Sequence, residues 1–249
     1  MRTLLARGIV CAGLALSCGC GPSEQEVADL RIQMRQLEER LDRIEAAPRS
    51  SSSTDATAPV ASAAPENFDQ VHPQQVGSSP IRGNPNAPIT LVVYSDFQCA
   101  FCARASPLLQ SLLKKYPDDV RIVFKHHAPK SQHGSRALAL ASLAAQEQGR
   151  FWEFHDVVFA HQGEADASVA TLRAYAAEAE LDVKRFQHDF RQRRTEYERR
   201  IDEDMRQASS ADVREPPTLF INGRKVENRS VTGMSAMIEQ ALQATSEFF

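Results

Sequence analysis

The stretch PITLVVYSDFQCAFC, residues 88–102, decides the fold. Leu91, Val92, Val93 and Tyr94 form a short apolar run with β-branched members, and the preceding GNPNAP (83–88) is rich in turn formers, so a buried central strand is expected. Directly afterwards, ARASPLLQSLLKKYP (103–117) places Leu108, Leu109, Leu112 and Leu113 at helical spacing until Pro117 stops the pattern. Cys99 and Cys102 therefore sit where a strand hands over to a helix. A cysteine at the first turn of a helix faces unpaired backbone N–H groups and the positive end of the dipole, which favours its thiolate. Cys99 is expected to be the activated thiol. Cys102, three residues on, lies over the same face one turn later and is placed to close a disulfide with Cys99 as the resolving thiol. Substrate exchange then runs through a mixed disulfide on Cys99.

Working outward, the 249 residues carry a formal charge of −3, and this balance argues against a nucleic-acid partner. Five cysteines stand at positions 11, 18, 20, 99 and 102. The first three fall in MRTLLARGIVCAGLALSCGCG (1–21), where Arg2 and Arg7 give a positive start and residues 9–16 an apolar core. That core is shorter than the roughly 20 apolar residues a permanent span needs. Residues 1–20 read as a secretory signal, and export places the mature chain where disulfides persist. The cluster LSCGC (16–20) resembles the lipobox of bacterial lipoproteins, which would lipidate Cys18, or else Cys20; the alternative is an ordinary cleaved signal. The family pattern's leucine three residues upstream of the cysteine is absent at both positions.

Residues 21–47 follow, and in them Val27, Leu30, Met34, Leu37, Leu41 and Ile44 recur at alternating spacings of three and four, the a and d positions of a coiled coil. A stalk helix that makes a homo-oligomer through residues 27–44 is one expectation, a solvated single helix the other. Residues 48–75 shift to Ser, Ala, Thr and Pro and read as a flexible linker. A coil of about 20 residues spans roughly 25 Å, so the head, residues 76–249, samples the space around its anchor.

In the head, VRIVFKHHAP (120–129) predicts a second strand over 120–125. A helical insertion over about 131–208 follows, read as four helices: SRALALASLAAQEQG (135–149), RFWEFHDVVFAHQ (150–162), SVATLRAYAAEAE (168–180) and one long helix over DVKRFQHDFRQRRTEYERRIDEDMRQ (182–207). PPTLFINGRKV (216–226) reads as strand, Asn-Gly turn and strand, and GMSAMIEQALQ (233–243) as a closing helix.

This order, with GNPNAPITLVVYSDFQCAFC, RFWEFHDVVF and PPTLFING, resembles the DsbA-like branch of the thioredoxin fold, an α/β fold with an inserted α-helical domain, here preceded by the coiled-coil-like helix. The resemblance implies a protein-disulfide oxidoreductase with Cys99 as nucleophile, Cys102 as resolving cysteine and Pro217 as the proline whose cis bond shapes the loop facing them. It implies no cofactor beyond the Cys99–Cys102 disulfide. Asp96, Ala100, Phe101, Pro216 and Thr218 are the candidate residues of the substrate groove or of redox tuning. Two departures stand out. The buried glutamate that similar proteins often carry six residues before the first cysteine is Val93 here, and no histidine lies between the cysteines. Pro216 also removes a backbone N–H, leaving its carbonyl to pair with an extended substrate.

Other residues carry less. Asp96 is either a proton relay or a cap and turn residue. His126, His127 and His133 suggest a metal, but with no second CxxC the ligand count argues for none. Trp152, Phe151 and Phe154 read as core, and RRTEYERR (193–200) as a solvated face. The expected activity is thiol–disulfide exchange in the bacterial envelope, on the periplasmic side, forming disulfides in cysteine-containing exported proteins with a membrane partner to recharge the pair. The alternatives are an isomerase or reductase oligomerised through the N-terminal helix, and a non-catalytic tethered adaptor. A two-residue loop gains little from a structural staple, which favours chemistry.

Overall fold

In the computed structural model, residues 70–163 and 167–246 and the single position 35 are described. The expected signal, stalk helix and most of the linker lie outside the described residues. The centre of the fold is a five-stranded sheet in the order β1-β3-β2-β4-β5. Strand β2 (Ile89–Ser95) lies in the middle, parallel to β3 (Val120–His126) and antiparallel to β4 (Thr218–Ile221). Helix α1 (Ala100–Lys115) makes the crossover from β2 to β3. The second half runs β4, β5 (Arg224–Lys225) and α7 (Val231–Ser246).

The apolar run of β2 follows from its position. Ile89, Leu91 and Val93 join a core built with Leu109 and Leu112 of α1 and Met234 and Ile238 of α7. Val92 and Tyr94 point to the other face, against Val123, Phe220, Ala208 and Val213. A strand covered on both faces has no reason to alternate. Asn222 and Gly223 form the tight turn with φ of 46° and 82°, and the Asn222 side chain accepts the N–H of Thr90 at 2.8 Å.

Among the described residues five helices rather than four lie between the halves: α2 (His133–Gln146), α3 (Phe151–Ala160), α4 (Val169–Glu178), α5 (Val183–Gln192) and α6 (Arg194–Ser210). The long helix expected over 182–207 breaks at Arg193, with φ −101° and ψ 13°. No Gly or Pro marks the break; tertiary contacts make it. Phe186 and Phe190 of α5 pack beside Phe154, while Arg193 pairs with Glu147 and Glu196 and α6 turns toward β3. Arg200, read as part of a solvated face, is largely covered and donates to Gln146 and the Ser78 carbonyl.

Two further expectations change. Strand β1 (Ile81–Gly83), antiparallel to β3, was not expected, because three residues carry no period. The end of the stretch read as linker packs on the sheet: Val71 bridges Arg224, the His72 N–H donates to the Gly223 carbonyl at 2.8 Å, and Tyr94 donates its hydroxyl to Gln74 at 2.8 Å. The open edge of β5 offers unpaired backbone groups that recruit this segment.

Candidate active site

Cys99 is the N-cap of α1, in extended conformation with φ −83° and ψ 114°, and its side chain makes no capping bond. Its backbone carbonyl accepts the N–H of Cys102 at 3.0 Å and its thiol donates to the Pro216 carbonyl at 3.5 Å. The Pro216–Pro217 bond, in the loop before β4, is cis. The carbonyl that the sequence left for a substrate strand is thus taken by Cys99 in this state. Both cysteines are free thiols, Cys99 half-buried and Cys102 buried.

Burial pushes the Cys102 thiol up to about 12. The Asp96 N–H, 3.5 Å from the sulfur, and the Ser95 hydroxyl oppose the rise, and the sulfur of Cys99 adds to it. One thiol is open to a partner and the other is kept as a proton-bearing group beneath it.

Asp96 meets this site through its backbone, not its carboxylate. The carboxylate accepts the Gln98 N–H at 2.8 Å, closing the turn that leads into α1. Burial raises its value foremost, while that N–H, the Ser135 hydroxyl and His127 lower it. Gln98 in turn accepts from Ser135 at the start of α2, with Gly134 so close beneath it that a Cβ there would meet the Gln98 amide at 2.5 Å. Ala100 is exposed and Phe101 is 67% exposed with Arg104 over its ring at 4.4 Å. Thr218 is buried, donating its hydroxyl to the Glu215 carbonyl at 2.6 Å. The structure therefore brings Cys99, Cys102, Pro216, Pro217, Phe101 and the Asp96 backbone together, and directs the Thr218 hydroxyl into its own loop.

Behind Cys102 lies a small cavity of about 20 Å³ whose wall includes Val93, Ser95, Phe124, Trp152 and His155. Phe97, stacked on Phe124 at 5.4 Å, and His155, edge-on to Phe97 at 5.9 Å, join the insertion to the site. His155 and Ser95 were not singled out from the sequence. The available signal was the His-Asp doublet inside the aromatic run FWEFHDVVF.

Among the described residues no group of three or more His, Cys, Asp or Glu is placed to hold a metal ion. His126 is buried, whereas His133 begins α2. A hollow of about 330 Å³ between α6 and residues 75–80 has no cysteine in its wall.

A thioredoxin-like sheet interrupted by a helical insertion, with a dithiol at the first turn of the helix and a cis-proline opposite, defines a DsbA-like architecture. The chain belongs to the family Thioredoxin_4, described as Thioredoxin, which matches residues 75–240. Its fold is similar to BdbD from Bacillus subtilis in the oxidised form, with a TM-score of 0.63 and 20% identity over 70% of this chain and 97% of that one. A thioredoxin-like oxidoreductase from Silicibacter pomeroyi is 26% identical with a TM-score of 0.59, covering 66% and 92%. The thiol-disulfide exchange protein alpha-DsbA2 from Wolbachia pipientis gives 0.57 and 18%, covering 65% and 86%. Among curated proteins, a Na(+)/H(+) antiporter NhaA 1 of Salinispora arenicola is 36% identical over 167 residues, 66% of this chain and 25% of that protein. An NhaA antiporter of Herminiimonas arsenicoxydans is 37% identical over 169 residues, 66% and 26%. The chain spans about a quarter of the length of these curated relatives. No helix among the described residues is long and apolar enough to cross a membrane.

Proposed function

We propose that the chain is a protein thiol–disulfide oxidoreductase that works through Cys99 and Cys102, forming disulfides in exported proteins. The observation that carries this reading is the asymmetry of the pair: a half-exposed Cys99 at a helix N-terminus beside a cis-proline, and a buried Cys102 whose thiol resists ionisation. In the oxidising direction a substrate thiolate attacks the Cys99 sulfur and Cys102 leaves; a second substrate thiol then releases Cys99. Exposed Phe101 offers apolar contact to an unfolded client. The antiporter name of the curated relatives is not carried over, since it describes proteins about four times the matched length.

Equilibrating the protein with glutathione buffers and trapping free thiols tests the reading. A potential near about −120 mV marks an oxidase and one near about −270 mV a reductant, while an intermediate value favours the isomerase; a bond still closed well below about −300 mV is structural and removes the enzyme reading. Cys102→Ser is expected to accumulate a mixed disulfide with substrate, and Cys99→Ser to form none.

The envelope location, the lipid at Cys18 or Cys20 and the oligomer through residues 27–44 belong to the same proposal, supported by the N-terminal sequence pattern. Fractionation checks them together. The full chain is expected in the membrane fraction as an oligomer, released by substitution of the lipidated cysteine and made monomeric by deletion of residues 21–66. A soluble monomeric full chain overturns the lipid anchor and the oligomer.

A further inference from the structure

Cys102 must change protonation state in every cycle of exchange, and its surroundings make the bare thiolate costly. With its thiol pushed up to about 12, only about one molecule in 10⁴ to 10⁵ carries the charge near neutral pH. The Asp96 N–H and Ser95 hydroxyl soften that cost but neither accepts a proton. Asp96 spends its carboxylate on the Gln98 turn and has no place in the wall of the cavity behind Cys102, and Val93 in that wall is apolar.

The titratable groups in the wall are Cys102 itself, Arg82 and His155. Nδ1 of His155 lies 2.8 Å from an Asp156 carboxylate oxygen. A carboxylate only accepts, so Nδ1 carries the hydrogen and the neutral ring leaves Nε2 as a bare lone pair. Burial foremost holds this imidazole below its usual range, Asp156 opposing and the Arg82 charge adding to the fall. The ring is therefore neutral near pH 7. Arg82 fixes Asp156 through two N–H bonds of 3.2 and 2.6 Å and lies over the Trp152 ring at 4.5 Å. Asp156 is 41% exposed, which opens a route from the ring to solvent. The other titratable ring interacting with His155 is His126 of β3; the aromatic rings beside it are Phe97, Phe124, Phe151, Trp152 and Phe159.

We propose that His155, positioned by Asp156 and Arg82, takes the proton of Cys102 when that thiol attacks a mixed disulfide on Cys99, and returns it when the Cys99–Cys102 bond is opened. The His155 and Cys102 side chains both stand in the wall of the cavity of about 20 Å³, a volume that meets the roughly 10–15 Å³ one water needs. In the closing step the Cys102 S–H bond breaks and its proton passes to Nε2. The sulfur electron pair then forms the Cys99–Cys102 bond, and the substrate sulfur leaves as thiolate with the electrons of the broken S–S bond. In the opening step a substrate thiolate attacks Cys99, and Cys102 leaves as thiolate and recovers the proton from the imidazolium. The proposal rests on the exchange reading of the cysteine pair.

The test uses the full chain with glutathione as probe. A mixed disulfide on Cys99 is formed from oxidised glutathione, and its closure to the internal disulfide is followed by acid quench between about pH 6 and about pH 9. Closure in the unsubstituted chain is expected to be nearly level across the upper part of that range. His155→Gln is expected to slow it on the order of a hundredfold near neutral pH and to leave a rate rising roughly tenfold per pH unit, as unassisted ionisation of Cys102 requires. A His155→Gln chain that closes at the unsubstituted rate with the same pH profile overturns the proposal. If that variant does not fold, Asp156→Asn, at a half-exposed position, is expected to slow closure several-fold and steepen its profile; an unchanged rate and profile overturns the proposal equally. An unsubstituted chain in which Cys99 takes up no glutathione removes the exchange reading, and the role of His155 with it.

Discussion

His126 lies fully enclosed among Phe97, Phe124 and Phe151, and neither ring nitrogen finds a hydrogen-bond partner among the protein's atoms. Burial drives its value down to about 3, helped by the charges of Arg200, Arg136 and Lys125 and by His155. In the unfolded chain a histidine titrates near about 6.5, so the unfolded state binds more protons between the two values. The stability that goes with a neutral His126 is fully present above about pH 6.5 and is lost as pH falls toward 3, on the order of 5 kcal/mol in all. Asp204, held above the usual carboxylate range by its burial, acts in the opposite sense at the acid end, so the comparison has to be made variant against parent. Urea midpoints of His126→Leu across about pH 4 to 7 are expected to fall less steeply than those of the unsubstituted chain; equal slopes would show that His126 is not the group that titrates. At this scale the sequence was legible where chemistry announces itself, as in CAFC. It was silent where burial decides. His126 stands beside His127 and His133 in a cluster whose ligand count already argues against a metal, but only the structure shows its cage of rings, and His155 hides in an aromatic run.

The elements divide along the same physical line. Strand β2, helix α1 and the Asn-Gly turn are set by local signals, an apolar run, a leucine stripe and a pair of residues suited to positive φ, and their positions follow the sequence closely. Strand β1 and the break at Arg193 are set by partners distant in sequence. Only Gly83 marks β1 in advance: its φ is +97°, and a Cβ there would meet the Val120 carbonyl at 2.8 Å, so the chain needs glycine to leave the strand beside β3. At Arg193 nothing local interrupts helical propensity. The bend comes from two aromatic residues packing one way and an ion pair to Glu147 holding the next turn another way. The site inherits this division. Its cysteines ride on a locally coded strand-helix junction, whereas Trp152, His155 and Phe159 in the wall behind Cys102 come from α3, which long-range packing brings in.

For the whole molecule, the order of segments was enough to place a helical insertion between two halves of a thioredoxin-like fold, but not to show what fastens it. The fastening includes a buried ion pair: Lys125 of β3, its side chain 2% exposed, donates to Asp204 of α6, 11% exposed, at 3.1 Å. The same carboxylate accepts the backbone N–H of His126 at 2.9 Å, so one residue of the insertion holds both a charge and a backbone group of the sheet. Lys125→Met leaves the carboxylate buried without its cation and is expected to cost about 3–5 kcal/mol, whereas the double change Lys125→Met with Asp204→Asn is expected to recover most of that loss, because no uncompensated charge is then buried and the amide oxygen still accepts from His126. Denaturation of the two single variants and the double variant closes the cycle. A coupling of about 2 kcal/mol or more, little changed by added salt, identifies the pair as a buried clamp. Additive single effects below about 1 kcal/mol would instead mean that apolar packing alone seats the insertion. Because α3 belongs to that insertion and carries His155 to the rear of Cys102, loosening the clamp is expected to slow mixed-disulfide closure while leaving the alkylation of exposed Cys99 unchanged, which separates the fastening of the insertion from the reactivity of the first cysteine.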